Sequence, residues 1–257
     1  MTGQFPKQRG ERSTVVLALM MKDEDRVLQR CLKSVRPFID AWCIMDTGST
    51  DQSVTLAQLM MEGVPGDLIR SEWVNFGANR AELVAHAQTL GDYLLLMDAD
   101  NELVVTGERP EHLAATMYNV YTRGDDCWTP RLIKSGMNWA YVGTTHEYLA
   151  CITDTPTTKG RCTWWQLEHY GDGARRPRKA AEDETMLRAE LAVDPDNPRV
   201  NFYLANALRD QGKYAEALKY YQRRVELGGW MVEADLAAEQ IERFLKGDFR
   251  GVGVPGQ

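Results

Sequence analysis

No two cysteines in this sequence are spaced C-x-x-C, no apolar run approaches the length of a membrane span, and basic residues do not outnumber acidic ones. Each absence excludes something. The five cysteines, Cys31, Cys43, Cys127, Cys151 and Cys162, are odd in number and widely separated. That argues against a disulfide framework and for reduced thiols in an intracellular protein. The opening MTGQFPKQRGERS is polar and has no apolar core of the signal-peptide kind, so a soluble, cytoplasmic protein without a transmembrane segment is expected. With 37 acidic against 30 basic residues and a formal net charge of −7, attraction to nucleic acid or acidic lipid would need a local patch rather than the overall field. What is present is globular in composition: 257 residues, 44% of them hydrophobic, enough for one generous domain or a domain with an appendage.

Strands and helices alternate through the first hundred residues. VVLAL within Thr14 to Met20 reads as a strand covered on both faces, and Val27, Leu28, Cys31, Leu32 and Val35 share one side of a helix that Pro37 stops. Ala41 to Met45 is a second strand. Thr47 to Asp51 is a turn whose Ser49, Thr50 and Asp51 can cap a helix through Val54, Ala57, Leu59 and Met60. Leu68 to Arg70, Asn79 to Leu90 and Tyr93 to Met97 continue as strand, helix and strand. This alternation predicts right-handed crossovers and a parallel sheet. Beyond Glu102 shorter aromatic-rich pieces with Trp128, Trp139, Tyr141, Trp164 and Trp165 read as mixed strands and loops, the tryptophans filling a core more readily than binding a ligand. A basic stretch, Arg175 to Lys179, reads as a solvated linker, with a lid over the site as its less favoured role.

The last third is helical. NFYLANALRDQGKYAEALKYYQRRVEL resembles a tetratricopeptide unit, with Phe202, Leu204, Ala205 and Ala207 on one helix, Gly212 and Tyr214 at the turn, and Ala217 and Tyr221 on the next. Arg224 stands where that repeat usually has a small residue, and Gly228-Gly229 replaces its closing proline. Helices over Glu182 to Val193 and Met231 to Phe244 flank it as partial units. Single repeats cannot bury their own faces, so this piece is expected to act as a buttress or a surface for protein contact rather than as a catalyst.

The segment LLLMDADNE carries the chemistry. In an open parallel sheet, ligands sit beyond the carboxyl ends of the strands. Asp98 and Asp100 lie at such an end, and in extended backbone both face one side while Ala99 faces the core. Two adjacent anions raise each other's pKa unless a cation is near, and a hard divalent ion with diphosphate oxygens completing its shell meets that need. A calcium loop fails, because Leu103 and Arg109 occupy the positions that need Gly and a carboxylate. A phosphotransfer D-x-D with a nucleophilic Asp is not matched by Asn101-Glu102-Leu103. Two solvated loop aspartates remain the bland alternative. Asp46, at the end of the second strand in IMDTGSTDQS, is positioned to accept a hydrogen bond from a nucleobase N–H. His146-Glu147 is not a zinc-protease motif, since Ala150 stands where the second His belongs. GVGVPG near the end has no strand before it or helix after it, and Met21-Lys22-Asp23 is not the glycine-rich loop of a nucleotidyltransferase.

Taken in order, LALMMKDEDRVLQRCLKSVRPFIDAWCIMDTGSTDQS, FGANRAELVAHA, GDYLLLMDADNEL, THE around His146 and EHYGDG around His169 resemble family 2 inverting glycosyltransferases of the GT-A fold. The subgroup most resembled carries tetratricopeptide-like helices, and the match covers about Thr14 to Leu227. The resemblance implies an α/β GT-A domain over 13–175 and a TPR-like helical domain over 176–246, with flexible tails at 1–12 and 247–257. It implies that Asp46, Arg80 and Asp98 bind a nucleotide-diphosphate sugar, a UDP-sugar, and that Asp100 and His169 ligate Mn²⁺ or Mg²⁺. Glu147 would be the general base. Asp23-Glu24 stands where Asn-Glu is usual, and Arg131 reads equally as an ion pair or a sugar or phosphate contact. The acceptor is left open among a glycan, a lipid-linked glycan, a protein and a modified nucleic-acid base. A non-catalytic TPR scaffold with a degenerate enzyme domain is the alternative.

Overall fold

The computed structural model describes residues 12–154, 156–173 and 179–250, and these form two compact units. Residues 12–142 and 149–173 make the first, and the segment Gly143–Tyr148 with residues 179–250 makes the second. Most of the basic stretch at Arg175 to Lys179, the GVGVPG segment and the N-terminal tail before Arg12 lie outside the described residues.

In the first unit, β1 (Val15–Met21), β2 (Ala41–Asp46), β3 (Gly66–Arg70) and β4 (Tyr93–Asp98) alternate with α1 (Asp25–Val35), α2 (Ser53–Met60) and α3 (Phe76–Ala87). A 3₁₀ turn at Arg36–Phe38 follows α1, where Pro37 cannot continue the helix. Then come β5 (Asn101–Val105), β6 (Met117–Arg123), β7 (Cys127–Lys134), β8 (Trp139–Val142), β9 (Tyr148–Cys151) and β10 (Lys159–His169). The eight-stranded sheet runs β3-β2-β1-β4-β7-β6-β10-β5, and β8 pairs with β9 alone. The β3, β2, β1 and β4 neighbours are parallel, whereas β7 is antiparallel to β4 and to β6, and β5 is antiparallel to β10. This is the expected α/β architecture of GT-A type.

Strand period decides the two faces. Val15, Leu17 and Leu19 enter a core with Val27, Leu28, Cys31 and Leu32 of α1, while Val16 and Ala18 enter a second core with Leu83 and Val84 of α3. The central strands are therefore apolar throughout, as a doubly covered parallel sheet requires. Trp139, Trp164 and Trp165 are buried, and Trp128 is the exposed one of the four weighed from sequence.

One expectation is corrected. Asp98-Ala99-Asp100 is not continuous extended strand: β4 ends at Asp98, Ala99 and Asp100 form the turn, and Asn101 opens β5. Ala99 is buried as expected. The buried side chain of Asn101, accepting from the Asp98 N–H at 3.1 Å, closes the turn and stops the strand there.

The second unit contains α4 (Lys179–Val193), α5 (Pro198–Asp210), α6 (Tyr214–Leu227) and α7 (Met231–Leu245). Asn197 caps α5 by accepting from the Val200 N–H at 3.1 Å, with Pro198 at the first helical position. Small Ala205, Ala207 and Ala217 are buried beside Phe202, Leu204 and Tyr221, so the helices approach closely, as a TPR-like tail requires. Arg224, anomalous for the repeat, is fully buried and donates to the carbonyls of Gly228 and Trp230, the latter at 2.6 Å. It satisfies acceptors of the turn in which Gly228 and Gly229 take φ of 65° and 89°. Among the described residues, no helix is long and apolar enough to cross a membrane.

Candidate functional site

The chain leaves β1 for β2 and β3 on one side and returns to place β4 on the other, which opens a crevice at the carboxyl ends of these strands. In register, Met21 pairs with Asp46 and Met20 with Asp98, so the two acids end the strands flanking β1. With neighbouring strands about 4.8 Å apart, their backbones stand roughly 10 Å from each other.

The loops above β1 and β2 are tied together. The Asp23 N–H donates to Ser49 Oγ at 3.0 Å, the Glu24 N–H to Ser53 Oγ at 2.7 Å and the Asp25 N–H to Asp51 Oδ2 at 3.1 Å. In return the Thr50 N–H donates to Asp23 Oδ1 at 2.7 Å. Asp23 has φ of 55°, a conformation Asn and Asp tolerate, which accounts for Asp where the resembled family has Asn. Asp46 is buried and accepts the Ser49 N–H at 3.0 Å, so one of its oxygens shapes its own turn.

Asp98 is held by two arginines. Arg80 from α3 donates to Oδ1 at 2.7 Å and Arg131 from β7 to Oδ2 at 3.0 Å. Burial pushes the Asp98 carboxyl up, but the charges of Arg80 and Arg131 outweigh it and hold the group well below the usual carboxylate range. The cation that sequence reasoning demanded beside the paired acids is thus supplied to Asp98 by guanidinium groups. Tyr141 of β8 lies beside Arg80, whose guanidinium stands 5.8 Å from the ring centroid.

Asp100 is in a different position. Its Oδ2 lies 3.5 Å from His169 Nε2 at the end of β10. Burial pushes this carboxyl above its ordinary value, His169 pulls it back and Asp98 pushes it up again. The loop after His169 folds onto α1 and confines the pair. Arg30 grips Asp172 at 2.6 and 2.9 Å, lies over the Tyr170 ring at 3.9 Å and donates to the Asp100 carbonyl at 3.3 Å. A side chain at Gly173 would meet Glu24 Oε2 at 3.1 Å and Asp100 Oδ2 at 3.3 Å, so the loop backbone passes close to both acids.

A carboxylate oxygen and an imidazole nitrogen 3.5 Å apart are spaced to share one divalent ion at about 2.1 Å from each. The half-buried Asp100, which among the described residues has no arginine of its own such as Asp98 has, fits that use. No group of three or more His, Cys, Asp and Glu positioned for a metal occurs among the described residues. One carboxylate and one imidazole are a small set, of the kind that substrate phosphates complete.

Glu147 is in the segment Gly143–Tyr148, which folds with the helices. There Thr145 Oγ1 donates to Asp183 at 2.9 Å, His146 Nε2 is 3.4 Å from Asp183, and the His146 ring stacks on Tyr203 at 4.2 Å. Arg199 donates twice to the His146 carbonyl, at 2.8 and 3.2 Å, and His146 takes a φ of 51°. Arg80 and Asp98 are thus brought together, as are Asp100 and His169. Asp46 stands across β1, and Glu147 belongs to the other unit. Sequence reasoning did not select Asp125, whose Oδ2 is 3.3 Å from His169 Nδ1, because a turn acid carries no signal without its neighbour.

Residues 17–163 match the family model described as Glycosyl transferase family 2. A TPR repeat-containing protein of Synechococcus elongatus is 26% identical over 235 residues, covering 83% of this chain and 57% of that protein. The cytochrome c-type biogenesis protein CycH of Rhizobium meliloti is 48% identical over 46 residues, 18% of this chain and 12% of that one. The chain therefore spans little more than half the length of the first of these relatives and a small part of the second. Among solved structures, S. aureus TarS 1-349 in complex with UDP aligns with a TM-score of 0.44 at 12% identity, covering 95% of each chain. Glucosyl-3-phosphoglycerate synthase from Mycobacterium tuberculosis, in complex with Mn²⁺, UDP and glucosyl-3-phosphoglycerate, aligns at 0.28 and 19% identity over 35% of this chain and 34% of that one.

Proposed function

The chain belongs to glycosyl transferase family 2, and on that premise we propose that it moves a sugar from a UDP-sugar to an acceptor by a metal-dependent, inverting displacement. The observation that carries the reading is the Asp100 and His169 pair, 3.5 Å apart beside an Asp98 already neutralised by arginine.

Asp100 and His169 would hold Mn²⁺ or Mg²⁺, which when bound neutralises negative charge on the departing diphosphate. Asp46 accepts a hydrogen bond from a base N–H. Asp98 keeps Arg80 and Arg131 in place at the carboxyl edge of the sheet, and the guanidinium groups set a positive field for the donor's phosphates. A general base takes the proton of the acceptor nucleophile as that atom bonds to the anomeric carbon and the bond to the diphosphate oxygen breaks, the role that the family resemblance implies for Glu147. A single displacement inverts the anomeric centre. The acceptor is a glycan, a lipid-linked glycan, a protein side chain or a modified nucleic-acid base, and the TPR-like helices are a surface for protein contact.

Titration calorimetry with UDP, with and without Mn²⁺, followed by hydrolysis assays on a panel of UDP- and GDP-sugars, tests the reading. The expected result is UDP binding that depends on the metal and is lost in Asp100→Asn and His169→Ala, with UDP-sugars preferred. Absence of UDP binding under both conditions overturns it and favours the non-catalytic scaffold.

A further inference from the structure

His169 has a carboxylate at each ring nitrogen. Nε2 is 3.5 Å from Asp100 Oδ2, and Nδ1 is 3.3 Å from Asp125 Oδ2 in the turn between β6 and β7. We propose that Asp125 is a positioning residue: it takes the Nδ1–H of His169, so that the Nε2 lone pair is turned toward Asp100 and the divalent cation the two would share. This rests on the metal-dependent reading above, but on neither the identity of the sugar nor that of the acceptor.

The turn is built around this contact. A Cβ on Gly124, where φ is 99°, would sit 2.5 Å from the His169 carbonyl oxygen, so only glycine lets the hairpin backbone press against the end of β10. Asp126, with φ of 52°, has its carboxylate occupied by the Tyr121 hydroxyl at 2.5 Å. The left-handed positions of the turn are thus Gly124 and Asp126, and the Asp125 side chain serves His169 instead. Nδ1 is buried and is otherwise without a hydrogen-bond acceptor among the described residues, and the Asp125 carboxylate lies within reach at 3.3 Å.

The chemistry of imidazole gives the contact its consequence. A neutral ring carries one proton, and only the tautomer protonated at Nδ1 leaves the Nε2 lone pair free for a cation. A carboxylate on the far nitrogen fixes that tautomer and raises the basicity of the ligating one. Loss of such a partner typically costs about 10–100-fold in metal affinity.

The test uses the full chain with UDP present and Mn²⁺ as the probe, titrated by electron paramagnetic resonance. Asp125→Ala is expected to weaken Mn²⁺ binding about 10–100-fold. Asp125→Asn, which keeps a carbonyl to accept the Nδ1–H, should fall between it and the unaltered protein. A second readout is independent of metal: ¹⁵N spectra of histidine-labelled protein at a pH where the ring is neutral, with His169 assigned by His169→Ala. The expected spectrum shows protonation at Nδ1 in the unaltered chain and a shift toward Nε2 in Asp125→Ala. Unchanged Mn²⁺ affinity in a folded Asp125→Ala, or an Nε2-protonated His169 in the unaltered chain, overturns the proposal. If the unaltered chain binds no Mn²⁺, the metal reading fails and the tautomer spectrum alone decides the role of Asp125. Should Asp125→Ala not fold, Asp125→Asn carries the same measurements.

Discussion

Removing one of the two guanidinium groups on Asp98 gives a prediction that the structure puts numbers on. Arg131 Nη1 lies 3.0 Å from Asp98 Oδ2, and the side chains are 18% and 29% exposed, so the pair is mostly withdrawn from water. With charge centres about 4 Å apart and an effective dielectric constant near 20, the attraction is about 4 kcal/mol. Desolvation of both groups offsets part of this, and Arg80, still bonded to Oδ1 at 2.7 Å, limits the loss. We expect Arg131→Met to destabilise the first unit by about 2 kcal/mol, a fall of roughly 4–8 °C in melting temperature for a unit of this size. Six of the seven tryptophans belong to the first unit, so intrinsic fluorescence during urea or heat denaturation reports chiefly on it. The decisive assay is a double-mutant cycle with Asp98→Asn. If the effect is the charge pair, Arg131→Met costs about 2 kcal/mol with Asp98 present and little in the Asp98→Asn background, a coupling within the range seen for contacting ion pairs. Equal costs in the two backgrounds would mean that the Arg131 stem acts by packing alone, and the account of Asp98 as an arginine anchor would be wrong.

Other consequences follow from the second unit. Glu184 is held down to about 2, first by Lys213 at 2.6 Å and, against burial, by Arg188 and Gln211. Its folded value lies below the ordinary one, so its stabilisation is complete above about pH 4.5 and drains away as pH falls toward 2. Lys213 and Arg188 are 45% and 38% exposed, which reduces the contribution to about 1–2 kcal/mol. Glu184→Gln should lower helical stability at pH 7 and cease to matter near pH 2, as followed by circular dichroism. Arg224→Met should cost about 3 kcal/mol, because the carbonyls of Gly228 and Trp230 lose a charged donor that is itself fully buried, and the loss should register in the fluorescence of Trp230. Asp183→Asn should raise hydrogen–deuterium exchange in residues 143–148, since Asp183 holds both Thr145 and His146. Unchanged exchange there would refute the anchoring.

Much of the architecture follows from local pattern. The apolar runs at Val15–Met21 and Tyr93–Asp98 suit strands buried on both faces, and Val27, Leu28, Cys31, Leu32 and Val35 are spaced to share one side of a helix, as the structure has them. The small and large residues of α5 and α6 likewise specify a close helix pair. Asp98, Asp100 and His169 were legible as a candidate site because acids at the end of a buried strand require compensation, and the order of the motifs supplied the rest. Which cation compensates which acid was not legible. That depended on β7 running antiparallel beside β4, which brings Arg131 to Asp98 from 33 positions away, and on the β6–β7 turn reaching the end of β10 with Asp125. Nor could sequence show that Asp100 stands in a turn rather than on the strand, or that the segment bearing Glu147 folds with the helices. Periodicity fixes which side chains a strand or helix buries, whereas the partner of a charged group is chosen by chain segments far away in sequence, and only tertiary packing brings those together.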